Sequence, residues 1–439
     1  MNEVPKGMLV RGGDGSVAAV LAVAAPSRGR ERAWTRSKAG LLGLGFLVLM
    51  FLACVATLPW TLAQVRESGS ENARGVPRYN AGDPKDGRSP PTWALSLGYE
   101  LPAREVQRLN ARVDEAKVAQ IAAAAGVTPE QAVAQTQGPV AEALKKEWPD
   151  SALGTDVLGR SLLVRVLTGG GISMGIGIAA AMLSVLIGTL YGSIAGYAGG
   201  RVDGFMMRIV DILYGLPYIL LVVLLAVAVD ALVEKWVSSR VPAKAQERAV
   251  YVERALAALP EAERTSDARR AELEAQALEK IGTGEIGLSV QNAINVVTLF
   301  VAIGGVSWLT MARVVRGQVL SLKNQPFIEA ARAIGTPVHR TFLRHLLPNL
   351  VGPIIVYSTL TVPQAILQES FLSFLGIGVK PPLPSWGNLA ADGLVELNPY
   401  QSNWWLLLFP CVLLGSTLLA LNFVGEGLRE AFDPKRRAR

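Results

Sequence analysis

The chain has 439 residues, of which 43 are Lys or Arg and 36 are Asp or Glu, a formal net charge of +7; half are hydrophobic and only 18% are charged. An ordinary soluble domain carries about 25% charged residues, so the composition excludes one and indicates a membrane protein. Cys54 and Cys411 are the only cysteines, each inside an apolar run, which excludes a disulfide framework and cysteine-based metal spacing and leaves the redox compartment unread.

A membrane-crossing helix needs roughly 20 consecutive apolar residues. Uncharged runs of that order occur at 39–65, 166–200, 212–229, 286–312, 346–368 and 397–425, and they predict an all-α membrane protein with six transmembrane helices. The first run follows Arg28, Arg30, Arg32, Arg36 and Lys38. It exceeds the roughly 7 to 15 apolar residues of a signal peptide and lies far from Met1, so it reads as an uncleaved anchor. Residues 66–165 are polar: Pro77 to Pro91 read as extended or loosely ordered chain, and an Ala-rich helix is expected from about Glu105 to Ala125. The run 166–200 is longer than one crossing and includes an approach segment. Between 230 and 285, Leu256, Leu259, Leu273 and Leu278 stand among alternating acids and bases, predicting one or two solvated amphipathic helices.

Basic residues set the orientation. The N-terminal tail (1–38), a loop (313–348) carrying Arg313, Arg316, Lys323, Arg332, Arg340 and Arg344, and the tail (426–439) ending in Lys435, Arg436, Arg437 and Arg439 fall together on the cytoplasmic side. Segments 66–165 and 230–285 then face outward, around a membrane core of 166–425. The positive charge is accounted for by this bias and by anionic headgroups, with no basic stripe interleaved with aromatics to indicate nucleic acid. No internal repeat relates the two halves.

Within the basic loop, Pro326 suits a first helical turn, Gly335 a left-handed stop, and Thr336-Pro337 a cap and first turn of the next helix. Two short helices meeting at a glycine on the membrane surface are expected. Glu329-Ala330-Ala331, Gly335 and Leu347-Pro348 in this spacing resemble the EAA motif of permease subunits in binding-protein-dependent ABC importers, whose short helix docks on a partner ATPase.

Further matches in order resemble the second permease subunit of the dipeptide, oligopeptide and nickel branch. They are Leu153-Gly154-Thr155-Asp156 with Gly159-Arg160; Gly196-Tyr197, Gly199-Gly200, Asp203, Met207-Arg208, Asp211 and Pro217; Arg344 to Asn349; Leu372 to Gly378; Pro384-Ser385-Trp386-Gly387; and Asn422, Gly425, Leu428-Arg429 and Asp433-Pro434. Departures include Ser161 for the usual Asp, Glu426 and Glu430 for Asp, and Gly169-Gly170-Gly171, which removes a cation and is expected to loosen the start of the second span.

The resemblance implies a type I ABC importer permease fold with a cytoplasmic coupling helix and import of short peptides or related solutes such as chelated nickel. It implies a second related permease subunit, two P-loop ATPase subunits and an extracytoplasmic solute-binding protein as partners, in an inner membrane of bacterial type. No G-x-x-x-x-G-K-[ST] is present, so ATP and Mg belong on the partner ATPases, this chain carries no cofactor, and no catalytic residue is assigned. Coupling falls to Phe327, Ile328, Glu329, Ala330, Ala331, Gly335, His345 and Pro348, with Phe327, Ile328 and Ala331 as the apolar docking surface. Glu329 suits the helix start and also an ATPase cation.

The fifth span offers Tyr357, Thr361, Gln364, Gln368 and Glu369 for a translocation path, and Pro353 and Pro363 to bend it. Such hydroxyls can equally bond back to the preceding turn. His339 and His345, six apart, do not match a helical zinc pair. An ATP-independent secondary transporter or channel is the alternative; it calls for mid-bilayer carboxylates and symmetric halves. A membrane scaffold would leave the EAA-like loop without purpose.

Overall fold

The structure, a computed structural model, describes residues 38–65, 75–148, 151–260, 267–282, 287–398 and 401–432. Residues 1–37 of the N-terminal tail, and Asp433-Pro434 with the basic residues after them, lie outside the described residues.

Among the described residues, five helices are long and apolar enough to cross a membrane: α1 (Lys38–Leu62) and α7 (Leu162–Ala198), then the stretches Val290–Lys323, Val338–Phe374 and Trp405–Glu430. Between Ala198 and the third of these, α8 (Gly200–Tyr214) and α9 (Tyr218–Ala257) meet at 93° and make a sixth, broken crossing if counted as one. The expected span at 212–229 therefore contains a break. Gly215 ends α8, and Pro217, which has no N–H to donate, precedes α9.

The bundle is organised around α7 and α11 (Leu288–Lys323), which run parallel. Gly188, Gly192 and Gly196 form a stripe at helical spacing on α7, and a Cβ at Gly192 would lie 2.3 Å from the Ala312 carbonyl oxygen. Small residues let the two backbones touch where lipid supplies no hydrophobic drive between helices. The Gly169 to Gly171 triplet acts similarly. It lies inside α7, beyond its first turn, and a Cβ on Gly170 would sit 2.6 Å from the Trp386 ring and 2.9 Å from Cys54 Sγ. The expected loosening is corrected: the glycines admit neighbouring side chains against the helix. Helix α14 (Leu347–Phe374) runs back along α7 and remains helical through Pro353 and Pro363, while α16 (Trp405–Phe432) packs on α1.

At the end where α7 begins, residues 75–148 form a small helical unit: α2 (Thr92–Ser96), α3 (Ala103–Asn110), α4 (Glu115–Ala125), α5 (Pro129–Ala134) and α6 (Pro139–Lys145). Its own core includes Leu109, Val118, Ala132, Leu144 and Trp148. The single helix expected over Glu105 to Ala125 is divided, because Asp114 caps α4 by accepting from the Ala116 N–H (2.8 Å) and the Asn110 side chain turns inward to bond the Val133 and Gln135 carbonyls. Pro77 to Pro91 are ordered rather than loosely extended. Two 3-10 turns, Arg78–Asn80 and Pro84–Asp86, set the Arg88 N–H on the Asp156 carbonyl (2.8 Å) and the Ser89 N–H on Thr155 Oγ1 (2.8 Å).

The unit is tied to the bundle by edge-on contacts of Trp93 and Tyr99 with Trp404, and by Arg88, which donates from Nε and Nη2 to Glu396 (2.7 and 3.0 Å). The Arg88 bond holds the Glu396 carboxyl below its ordinary value of 4.5, against burial that pushes it up. A lowered folded-state value means that the pair supports docking above the ordinary value and loses that support as pH falls through the folded one. Limited proteolysis of residues 75–148 is expected to be constant from about pH 8 to 5 and to accelerate below about pH 4, with Glu396→Gln removing the pH dependence. Equal acceleration in that variant would disprove the assignment.

Residues beyond Asp230 form an antiparallel pair, the rest of α9 and α10 (Asp267–Ile281), closed by Val252, Leu273 and Ala277. At 1.5 Å per residue, α9 extends about 40 Å past Asp230, which is held by Lys380 (2.6 Å).

Candidate docking segment and translocation face

Between α11 and α14 the chain makes α12 (Pro326–Ala333), a turn at Gly335, α13 (Val338–Thr341) and a π turn (Phe342–Leu346). Pro326 occupies the first turn of α12. Gly335 has φ +73°, and the Thr336 and Gly335 N–H groups return to the Ala331 and Arg332 carbonyls (3.0 and 2.9 Å). That pair of bonds is a Schellman stop, which favours glycine at the left-handed position. Thr336 does not cap the next helix: the residue before α13 is Pro337, and no side-chain cap bond forms there.

Ile328 and Ala331 are 0% and 5% exposed. Spaced i, i+3, they share the face of α12 turned into the chain, so they anchor the segment and do not supply its outer surface. The apolar groups turned outward are Phe327, Ala330 and Ile334, at i, i+3 and i+7, with Ile334 82% exposed. Val338 and Leu343 extend this surface. Sequence reasoning missed Ile334, Val338 and Leu343; helical spacing from Phe327 was available for Ile334, while the other two lie past the Gly335 stop. Glu329 is exposed in the first turn and makes no ion pair among the described residues.

His345 lies in the π turn, where its carbonyl accepts from Asn349 Nδ2 (2.7 Å), and Pro348 opens α14, exposed. Beside the segment, Arg332 lies over the Tyr197 ring (5.2 Å) and Lys323 Nζ donates to the Gly196 carbonyl (3.1 Å). Arg316 donates from Nε and Nη2 to both carboxylate oxygens of Asp203 (2.5 Å each), and Arg313 donates to Asp211 (2.7 Å). These contacts tie the end of α11 to α7 and α8, and Arg332 ties α12 to the end of α7.

On α14, Tyr357, Thr361, Gln364 and Gln368 follow a spacing of four, three and four and form one stripe. Gln364 is exposed, and Gln368 Oε1 accepts from the Tyr218 hydroxyl (2.6 Å), which also meets Ser307 Oγ (2.9 Å). Three helices, α9, α11 and α14, converge on that polar contact. Thr361 bonds back to the Tyr357 carbonyl (2.8 Å). Glu369 does not belong to the stripe. One residue past Gln368 it turns about 100° around the helix, is 0% exposed, and accepts from Ser373 Oγ (2.7 Å) and Ser370 Oγ (3.2 Å). Its environment is structural: Ser373 Oγ in turn accepts the Val379 N–H (2.9 Å) at the turn leading to α15 (Trp386–Val395). Among the described residues no group of three or more His, Cys, Asp or Glu side chains is placed to hold a metal.

A mainly helical bundle with a short surface helix slung between two spanning helices is the architecture of a polytopic membrane protein. The chain belongs to the family of inner membrane components of binding-protein-dependent transport systems, which matches residues 188–438, more than half of it. It is 54% identical over 143 residues to the oligopeptide transport system permease protein OppC of Salmonella typhimurium, covering 33% of this chain and 46% of the relative. The OppC of Bacillus subtilis is 48% identical over 140 residues (32% and 45%), and the dipeptide transport system permease protein DppC of Bacillus subtilis 47% over 140 (32% and 43%). The chain thus spans somewhat under half the length of these curated relatives.

Proposed function

We propose that this chain is the permease subunit of an ATP-driven importer of short peptides, paired with a related permease subunit, two P-loop ATPases and an extracytoplasmic solute-binding protein. The observation that carries this reading is the α12 to α13 segment, anchored inward by Ile328 and Ala331 while Phe327, Glu329 and Ile334 stay exposed. A short helix anchored by Ile328 and Ala331 and by Arg332 over Tyr197, beside an α8–α11 joint closed by Arg316–Asp203 and Arg313–Asp211, transmits a push as a rigid body. Glu329 supplies the acidic partner for an ATPase cation, with ATP and Mg held by the ATPases. The peptide class follows from the names of the relatives, and the Tyr357 to Gln368 stripe is the face offered to the solute. The basic loop supports a cytoplasmic position for this segment and both termini, with the 75–148 unit and the α9–α10 pair outside.

The test uses the tagged full chain drawn from its native membrane in mild detergent. An ATPase pair and a second multispan subunit are expected to copurify with ATP hydrolysis. Phe327→Asp with Ile334→Asp is expected to cut ATPase recovery at least tenfold with unchanged thermal stability, since both side chains are solvent-facing. Ile328→Asp, by contrast, is expected to destabilise the chain itself. Full ATPase recovery with the double variant would refute the docking surface. Solute uptake by the chain alone, without ATPase, would favour a secondary transporter.

A further inference from the structure

Most large hydrophobic side chains of the 75–148 unit turn into its core or are half-buried, but Trp93 and Leu97 stand 42% and 78% exposed. The Leu97 N–H returns to the Trp93 carbonyl (3.2 Å), so the two side chains, at i and i+4, share one face of α2 and its last turn. No residue from Thr92 to Tyr99 is charged. The Trp93 ring stands edge-on to Trp404 (6.2 Å) and Phe409 (6.3 Å), at the first turn of α16. Its Nε1 donates to the Ala152 carbonyl (2.8 Å), which satisfies the one polar atom of the ring inside the protein and leaves apolar surface outside. From Trp404 an exposed apolar row continues along α16 through Leu408, Val412 and Leu419.

Helix α1 fixes the depth of this face. Lys38 and Trp60 lie about 33 Å apart along it at 1.5 Å per residue, close to the roughly 30 Å of a bilayer's hydrocarbon core. The exposed Trp60 therefore stands at the membrane boundary. Helix α16 packs on α1 with Gly43 against the Ala420 carbonyl, and further along both helices Met50 and Cys54 share a cluster with Leu413 and Leu406. The two run antiparallel, and about 25 Å from the Gly43 contact they reach Trp60 and Trp404. Trp60, Trp404 and Trp93 thus share one level, where indole rings are favoured. Arg78 lies over the Trp60 ring (4.7 Å) and makes no side-chain hydrogen bond or ion pair among the described residues; a cation at this depth suits lipid phosphates. We propose that the Trp93 and Leu97 face docks on the bilayer, seating the 75–148 unit on its leaflet with both side chains between lipid headgroups and acyl chains. Lipid is the occupant because the face continues the membrane-facing row of α16 at the depth of the headgroups. The seat does not depend on the importer reading: uptake could fail in the test above while this contact holds, and the reverse.

The test uses the full chain, with the subunits that copurify, in phospholipid nanodiscs. Cys411, the exposed cysteine, is changed to alanine, and Cys54 is fully buried. A fluorophore is then attached at Leu97→Cys and, for comparison, at Glu130→Cys, an exposed position on α5. At the Leu97 position it is expected to lose about half its emission to lipids brominated high on the acyl chain, the depth of an interfacial side chain, and to be protected from aqueous iodide. At the Glu130 position iodide should quench and brominated lipid should not. Equal iodide quenching at the two positions would put the face in water and overturn the proposal. Protection from both quenchers at the Leu97 position would mean that a protein covers the face, which overturns it too. Trp93 supplies a reading without any label: the emission lost on Trp93→Phe is expected to be quenched by the same brominated lipids in the unaltered chain. Insensitivity of that emission to the lipid would count against the seat even if the labelled variant does not fold.

Discussion

Replacing Trp386 by alanine is expected to destabilise the chain by about 3–5 kcal/mol, the usual loss for a large aromatic in a packed core. Trp386 is fully buried, its indole N–H donates to the Val166 carbonyl (3.1 Å) and its backbone N–H to Ser173 Oγ (3.2 Å). The ring lies against Gly170, so one side chain locks α15 onto α7 beside α1. Trp386→Phe keeps most of the volume and loses only the indole bond to the Val166 carbonyl, which keeps its helical bond within α7, and about 0.5–1.5 kcal/mol is expected for that. Thermal unfolding of the full chain in detergent reads both; an alanine variant as stable as the unaltered chain would show that α15 is held elsewhere.

Asp156→Ala is expected to cost a similar amount, about 3–5 kcal/mol, for a different reason: removing one partner leaves a buried charge unmatched. Asp156 is 4% exposed and accepts from the Leu158 and Arg160 N–H groups (2.9 Å each), Arg160 Nε (2.7 Å) and Arg165 Nη1 (2.5 Å). Because Arg165 would be left with only the distant Asp392, Asp156→Ala combined with Arg165→Leu is expected to be less harmful than the sum of the two single changes. Additive losses in that cycle would mean that the two groups are not coupled. Since Asp156 also holds Arg160, which donates from Nη1 to Asn80 Oδ1 (3.0 Å), early proteolysis of the 75–148 unit should accompany the single change.

The spans, the helix–glycine–helix segment and the family were legible because they rest on local chemistry. Apolar run length, a proline in a first turn and a glycine at a left-handed stop leave marks within a few residues of one another, and Pro326 and Gly335 stand where those marks place them. The broken crossing was less legible: hydropathy averages over the turn at Gly215 to Pro217, which only the backbone reveals. The divided Ala-rich helix was missed for a similar reason, since Asp114 and Asn110 act through single hydrogen bonds that composition does not weigh.

By itself, then, the sequence determined a helical membrane protein, most of its crossings and the place of its surface helix, because burial in lipid forces backbone bonds to close locally and long apolar runs to become helices. Which face of each helix is buried was decided only by the tertiary structure. Ile328 and Ala331 turn inward rather than outward, Glu369 leaves its neighbours' stripe for a serine cluster, and the Gly169 to Gly171 triplet receives Trp386 and Cys54. The glycine triplet's outcome depends on neighbours far along the chain, and the partners of Arg165, at Asp156 and Asp392, meet only when α7 and α15 pack together.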